Sequence, residues 1–140
     1  MKNQECIHRF LKAQEDAYPR ALEEIRSGGK RSHWMWYIFP QLKALGHSSM
    51  AQYYGILDLE EAKEYWSHPV LSARLVEISQ ALLEQSGTAW EIMGSPDDLK
   101  LLSSMTLFYQ VSGHPVFKQV IDRFYDGEFD SYTVQLLKGN

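Results

Sequence analysis

Two segments of this 140-residue chain combine side chains that can do chemistry. The first reads Lys30-Arg31-Ser32-His33-Trp34-Met35-Trp36-Tyr37-Ile38-Phe39-Pro40-Gln41. Two cations, a hydroxyl and an imidazole lead into an unbroken large apolar run, and an amide follows the proline. If the run enters the core, its polar shoulders stand at the rim of an aromatic wall. Such a rim suits a planar or phosphorylated ligand. Aromatic faces stack, Arg31 pairs an anion in bidentate fashion, and His33 moves a proton near neutral pH. The competing reading makes the aromatics core and His33 a satisfied helix cap.

The second segment holds Lys100, Ser103, Ser104 and Thr106, behind Ser95-Pro96-Asp97-Asp98. On a helix Lys100 and Ser104 share a face, with Ser103 near it. Consecutive hydroxyl residues have modest helix propensity, so a use for them is worth seeking. A lysine beside a serine can ease attack by the hydroxyl. Alternatively, Ser103 and Ser104 allow close helix packing while Lys100 lies in solvent.

If the Lys30–Gln41 and Lys100–Thr106 segments meet, Arg31 and Lys100 would hold an anionic or nucleotide-like small molecule against Trp36. His33 would carry the proton, Gln41 would orient the ligand, and Ser104 would donate a hydrogen bond or act as nucleophile. Whether any catalysis follows is left open. The alternative is a non-catalytic protein-interaction domain, with Trp34, Trp36 and Tyr37 forming a solvent-facing apolar patch. Nucleic-acid binding is the weakest reading, since two adjacent cations are too few for the phosphate contacts that dominate affinity. A formal charge of −4 agrees.

Other chemistries lack their residues. No histidine pair has zinc-binding helical spacing, and one cysteine cannot build a thiolate cage, so no metal is expected. GxGxxG, GxxxxGK[ST] and GxSxG are missing, and no cofactor is called for. His68 and His114 stand at helix starts and read as local structure, while His8 and His47 show no partner in the sequence. Asp97 and Asp98 are better explained by capping than as an acid/base pair.

The elements that must position these residues are helical. Ile7, Phe10, Leu11, Gln14 and Tyr18 keep a helical stripe. Pro19 predicts a break or a new first turn, Leu22 and Ile25 continue the face, and Ser27-Gly28-Gly29 ends it. Residues 34–39 are apolar throughout, so period cannot choose helix or strand, and Pro40 ends the element. Gly46–Ser49 reads as a loop. Asp58 and Glu61 have capping-box spacing for a helix to about Trp66. Ser67-His68-Pro69-Val70 and Gly113-His114-Pro115-Val116 start two further helices, because proline in a first turn loses no hydrogen bond. Their stripes are Leu71, Leu75, Ile78 and Leu82, then Phe117, Val120, Ile121 and Phe124. Ser95 should cap a helix with Pro96 in its first turn and Leu101, Met105 and Phe108 on one face. Asp126-Gly127 reads as a turn, and Tyr132–Lys138 as a last short helix ended by Gly139.

The expected architecture is mainly α, a single-domain bundle of five to seven helices over residues 1–140, with at most a minor strand. A chain of this length buries about two-thirds of its unfolded surface and needs no staple. With 44% hydrophobic and 23% charged residues it falls in the globular class. The lone Cys6, the polar N-terminus and the absence of an apolar run of about 20 residues predict a cytoplasmic protein without a membrane span. Nothing specifies an oligomeric state.

Lys30-Arg31-Ser32-His33-Trp34-Met35-Trp36, Ile38-Phe39-Pro40-Gln41, Gly94-Ser95-Pro96-Asp97-Asp98-Leu99-Lys100 and Ser103-Ser104-Met105-Thr106-Leu107-Phe108 closely resemble an uncharacterised family. It is the domain-of-unknown-function family numbered 1810, whose fold type is named after a mycobacterial protein. Phe10 with Ala13-Gln14, His68-Pro69-Val70-Leu71 and Arg123-Phe124 also fit, so the resemblance spans nearly the whole chain. It implies a mainly α-helical, bacterial, single-domain protein and no established reaction. The family pattern often has a basic residue where this chain has Leu102. A ligand site that needed that cation would be weakened here, whereas a peripheral position would tolerate the change.

Overall fold

The helical spacing of the apolar residues is realised in a computed structural model that describes residues 2–138. Among these are nine α-helices: α1 Lys2–Arg26, α2 Met35–Ile38, α3 Ser49–Tyr54, α4 Leu59–Ser67, α5 Pro69–Leu83, α6 Ala89–Met93, α7 Asp97–Ser112, α8 Pro115–Tyr125 and α9 Ser131–Lys138. Six have at least seven residues, which matches the expected five to seven. The short helices α2, α3 and α6, with a 3-10 turn at Lys43–Leu45, come in addition. The β structure among the described residues is one isolated parallel bridge between Leu42 and Ile56.

Helix α7 is the axis of the fold. It packs against α4, α6, α8 and α9, and every residue from Ser103 through Phe108 is buried. That explains its hydroxyl residues, which are small enough for neighbouring helices to approach closely. Ser103 donates to the Leu99 carbonyl at 3.3 Å and to Asp130 at 3.1 Å, and the Thr106 hydroxyl accepts from the Asp130 amide at 2.9 Å. Around this axis α1 packs on α5, and α5 on α8. Phe10 meets Tyr65 edge-on at 5.0 Å, and Tyr65 meets Phe108 at 5.2 Å, so aromatic contacts tie α1, α4 and α7 together. Gln14 adds a polar tie among α1, α2 and α4, donating to the Tyr37 carbonyl at 2.7 Å and the Tyr65 hydroxyl at 3.0 Å.

The proline-led starts are as expected. His68 Nδ1 accepts from the Val70 amide at 3.2 Å, and His114 Nδ1 from the Val116 amide at 3.1 Å. The stripes Leu71, Leu75, Ile78, Leu82 and Phe117, Val120, Ile121 are buried, and Phe124 is half-buried. The ambiguous 34–39 run is one helical turn, closed by the Ile38 amide on the Trp34 carbonyl at 3.1 Å.

Four local expectations are corrected. Pro19 neither breaks α1 nor starts a new helix. Pro19 and Glu15 are both exposed, so the Glu15 carbonyl freed by the missing N–H faces water, while Tyr18, Ala21 and Ile25 continue the buried face. The capping box at Asp58 is half formed. Asp58 accepts from the Glu61 amide at 2.9 Å, but the Glu61 carboxylate turns to the Leu57 amide at 2.7 Å and to Arg9 at 3.2 Å. Ser95 caps nothing through its side chain. Pro96 is the N-cap of α7, and the Gly94 carbonyl takes the Asp98 amide at 2.8 Å. The loop at Gly46–Ser49 stops at Ser48, whose hydroxyl caps α3 by accepting from the Ala51 amide at 3.1 Å. Gly139, the expected stop of α9, lies outside the described residues.

Candidate functional site

The site grows from the end of α1. Glu24 lies on the inner face of that helix, seven positions after buried Ala17 and three after buried Ala21, and is only 2% exposed. One of its oxygens accepts from the Arg31 amide at 2.7 Å, the Ser32 amide at 3.0 Å and Trp34 Nε1 at 2.9 Å. The other accepts from the Ser32 hydroxyl at 2.5 Å. Burial alone would push this carboxyl up. The hydrogen bonds from Ser32, Arg31 and Trp34 outweigh burial and hold it down at about 2. Glu24 is therefore a charged anchor on which the 30–34 loop is hung.

That loop delivers Lys30 to the start of α7. The Lys30 ammonium lies 2.8 Å from Asp97, donates to the Ser32 carbonyl at 2.5 Å and stands 4.9 Å from the Trp34 ring centroid. Its side chain is 8% exposed. Lys100, one turn into α7, reaches the second Asp97 oxygen at 3.4 Å and lies 5.8 Å from the Trp36 ring centroid, with 30% of its side chain exposed. A single aspartate thus bridges two lysines. The first turn of this 16-residue helix adds its own positive end.

Between the two segments is a depression of about 200 Å³, lined by Lys30, His33, Met35, Trp36, Ser48, Met50, Asp97 and Lys100. His33, Trp36 and Lys100 therefore line the same cavity. The other sequence candidates do not. Arg31 is exposed, and its backbone amide donates to Glu24. Gln41 is buried beside the Leu42–Ile56 bridge, with its backbone carbonyl accepting from the Ile56 amide at 2.9 Å and its side-chain nitrogen without a protein partner. Ser104 is fully buried with an unpartnered hydroxyl, away from the cavity lining and with no base in hydrogen-bond reach. Leu102 is half-buried against the core and outside the lining.

Trp36 offers little surface for stacking, being only 6% exposed. A Cβ at Gly46 would sit 2.7 Å from Trp36 Cζ2, which shows how closely the chain is laid on that indole. The ring is 6% exposed and Trp34 only 1%, while Tyr37 is half-buried. These three residues therefore form no solvent-facing apolar patch. The aromatic side chains that do face solvent are Tyr53, Trp90 and Tyr132.

A larger depression of about 380 Å³ near His8, Glu64 and His68 holds no lysine or arginine, and His68 Nδ1 is engaged in capping α5. Among the described residues no group of three histidine, cysteine, aspartate or glutamate side chains could hold a metal ion. Nor is any helix of the described residues long and apolar enough to cross a membrane.

The DUF1810 family profile, described as a protein of unknown function, matches residues 4–137. The chain belongs to the DUF1810 family. A solved relative is the conserved hypothetical protein Rv1873 from Mycobacterium tuberculosis. It is 45% identical, with a TM-score of 0.92 over 94% of this chain and 96% of that one. No curated protein matches the sequence. Membership agrees with the mainly α, single-fold reading and attaches no reaction to it.

Among the residues that build the site and are not named as site residues from the sequence, Glu24 anchors the loop, and Lys30, Asp97 and Met50 line the cavity. Glu24 carried a signal in its place, since a carboxylate on the inner stripe of an amphipathic helix demands donors. Asp97 was read only as a dipole partner of α7, and Lys30 only as half of a cation pair. Met50 had no signal, being brought in by the fold of α3.

Proposed function

We propose that this protein binds a small anionic molecule in the depression between the 30–36 segment and the start of α7. The observation that carries this reading is a Lys100 side chain that is 30% exposed, shares a cavity with His33 and Trp36, and is held only by a 3.4 Å contact with Asp97 and a distant 5.8 Å approach to the Trp36 ring. An ammonium has three donors, so Lys100 has capacity left for an anion. His33 stands at the mouth as a second polar contact. The volume falls below the roughly 300–1,000 Å³ of drug-sized pockets, which favours a small metabolite over a nucleotide. Binding is the role assigned; the enclosed Ser104 hydroxyl gives no support to a nucleophile. A cytoplasmic setting is part of the proposal, resting on the single cysteine.

The test is a thermal-shift panel of small anionic and neutral metabolites on the wild type and Lys100→Gln. A ligand that binds only the folded state at about 100 times its Kd adds about 2.7 kcal/mol of apparent stability. Stabilisation by anions that disappears in Lys100→Gln is expected. Equal effects of neutral and anionic compounds, or the same anion response in the variant, would overturn the proposal.

A further inference from the structure

We infer that the ligand is a short-chain aliphatic monocarboxylate, an inference that rests on the anion-binding reading above and gives its substrate class. Charge, volume and lining chemistry point the same way.

Lys30 has no donor left for a ligand. Its ammonium is divided among the Ser32 carbonyl, Asp97 and the face of Trp34. Lys30 and Asp97 form a nearly enclosed, mutually neutral pair. Lys100 then supplies the one uncompensated positive charge among the lysines and aspartate of the lining. A single carboxylate balances it. A second negative charge on the same small ligand would be held close to Asp97, with no further lysine or arginine in the lining to offset it.

The depression of about 200 Å³ falls below the roughly 300–1,000 Å³ of drug-sized pockets. The remaining walls include Met35, Met50 and Trp36, and thioether side chains adapt well to a small aliphatic body. Trp36 is only 6% exposed, which leaves little aromatic surface to hold a planar heterocycle. The Ser48 hydroxyl already accepts the Ala51 amide as a helix cap.

The experiment follows 13C-labelled methionine methyl resonances by NMR as butyrate, succinate or inorganic phosphate is added at constant ionic strength. It is run at about pH 8, where phosphate carries nearly two charges. Butyrate is expected to shift Met35 and Met50 saturably, and succinate and phosphate to bind at least about tenfold more weakly, a difference of about 1.4 kcal/mol. Lys100→Gln, at a half-exposed position, should weaken butyrate by a similar factor while leaving the fold intact. Asp97→Asn should narrow the preference for butyrate over phosphate. Phosphate or succinate binding as tightly as butyrate would overturn the monocarboxylate assignment and leave anion binding standing. No response to any of the three, while another anion stabilises the protein in the thermal panel, would overturn the same assignment alone. Silence in both experiments would remove both readings.

Discussion

Replacing Glu24 separates the charge of the loop anchor from its hydrogen bonds. In Glu24→Gln the amide oxygen can take over the three bonds now made to one carboxylate oxygen, from Arg31, Ser32 and Trp34. The new amide nitrogen can donate to the Ser32 hydroxyl, which now donates to Glu24. Geometry is retained and charge is lost. The carboxyl is lowered from 4.5 to about 2, and at 1.36 kcal/mol per unit the folded site favours the ionised form by about 3 kcal/mol. Since the glutamine keeps the bonds but not their charge assistance, a loss of about 1–2 kcal/mol is expected at pH 7. Glu24→Ala leaves the Trp34 indole and two amides without their acceptor and should cost about 3–4 kcal/mol. The folded protein holds this proton less tightly than the unfolded chain, so the contribution is complete above about pH 4.5 and is lost as pH falls toward 2. Urea denaturation at a series of pH values measures it. The gap between wild type and Glu24→Gln should close on acidification. A gap of the same size at pH 3 and pH 7, or a glutamine variant as stable as wild type at neutral pH, would refute the reasoning.

Arg9→Met should lose about 3–5 kcal/mol in chemical denaturation, because it strands the Glu61 carboxylate in a pair whose side chains are 11% and 8% exposed. Gly55→Ala should prevent folding or cost more than about 3 kcal/mol, since the new Cβ would collide with Lys43 Cα and lie 2.5 Å from the Ala51 carbonyl. Gly113→Ala should cost only about 1 kcal/mol by the same assay, because φ is 70° but nothing lies within 4 Å. His114→Ala removes the acceptor for the Val116 amide at the start of α8 and should cost about 1 kcal/mol, with loss of amide protection confined to that turn in hydrogen exchange.

The long helices were legible because their burial repeats with the helical period. Leu71, Leu75, Ile78 and Leu82 announce α5 without any knowledge of its neighbours. Helices of one turn are not legible in that way. Met35–Ile38 is buried on nearly all sides, so its residues carry no period, and Ser49–Tyr54 is too short to establish one. Pro19 misled because the cost of proline depends on which side of the helix loses its bond, and that is decided by tertiary packing. His33, Trp36 and Lys100 could be named from residue type and proximity to an apolar run. The meeting of Lys30 with Asp97 could not, because an ion pair between segments distant in sequence leaves no local pattern. Gln41 and Ser104 show the opposite error, polar residues whose chemistry is enclosed rather than presented.

The Lys30–Asp97 pair joins the loop after the first helix to the start of the central one, across most of the intervening fold. Neither wall of the cavity has the other until α7 has docked beneath the helices that precede it. Site formation thus needs a contact between residues far apart in the chain, and binding of the proposed anion should recover with native tertiary packing rather than with helix content. A destabilised variant that keeps its helices but loosens α7 would lose the depression, so binding of the proposed anion would report on the integrity of the whole topology.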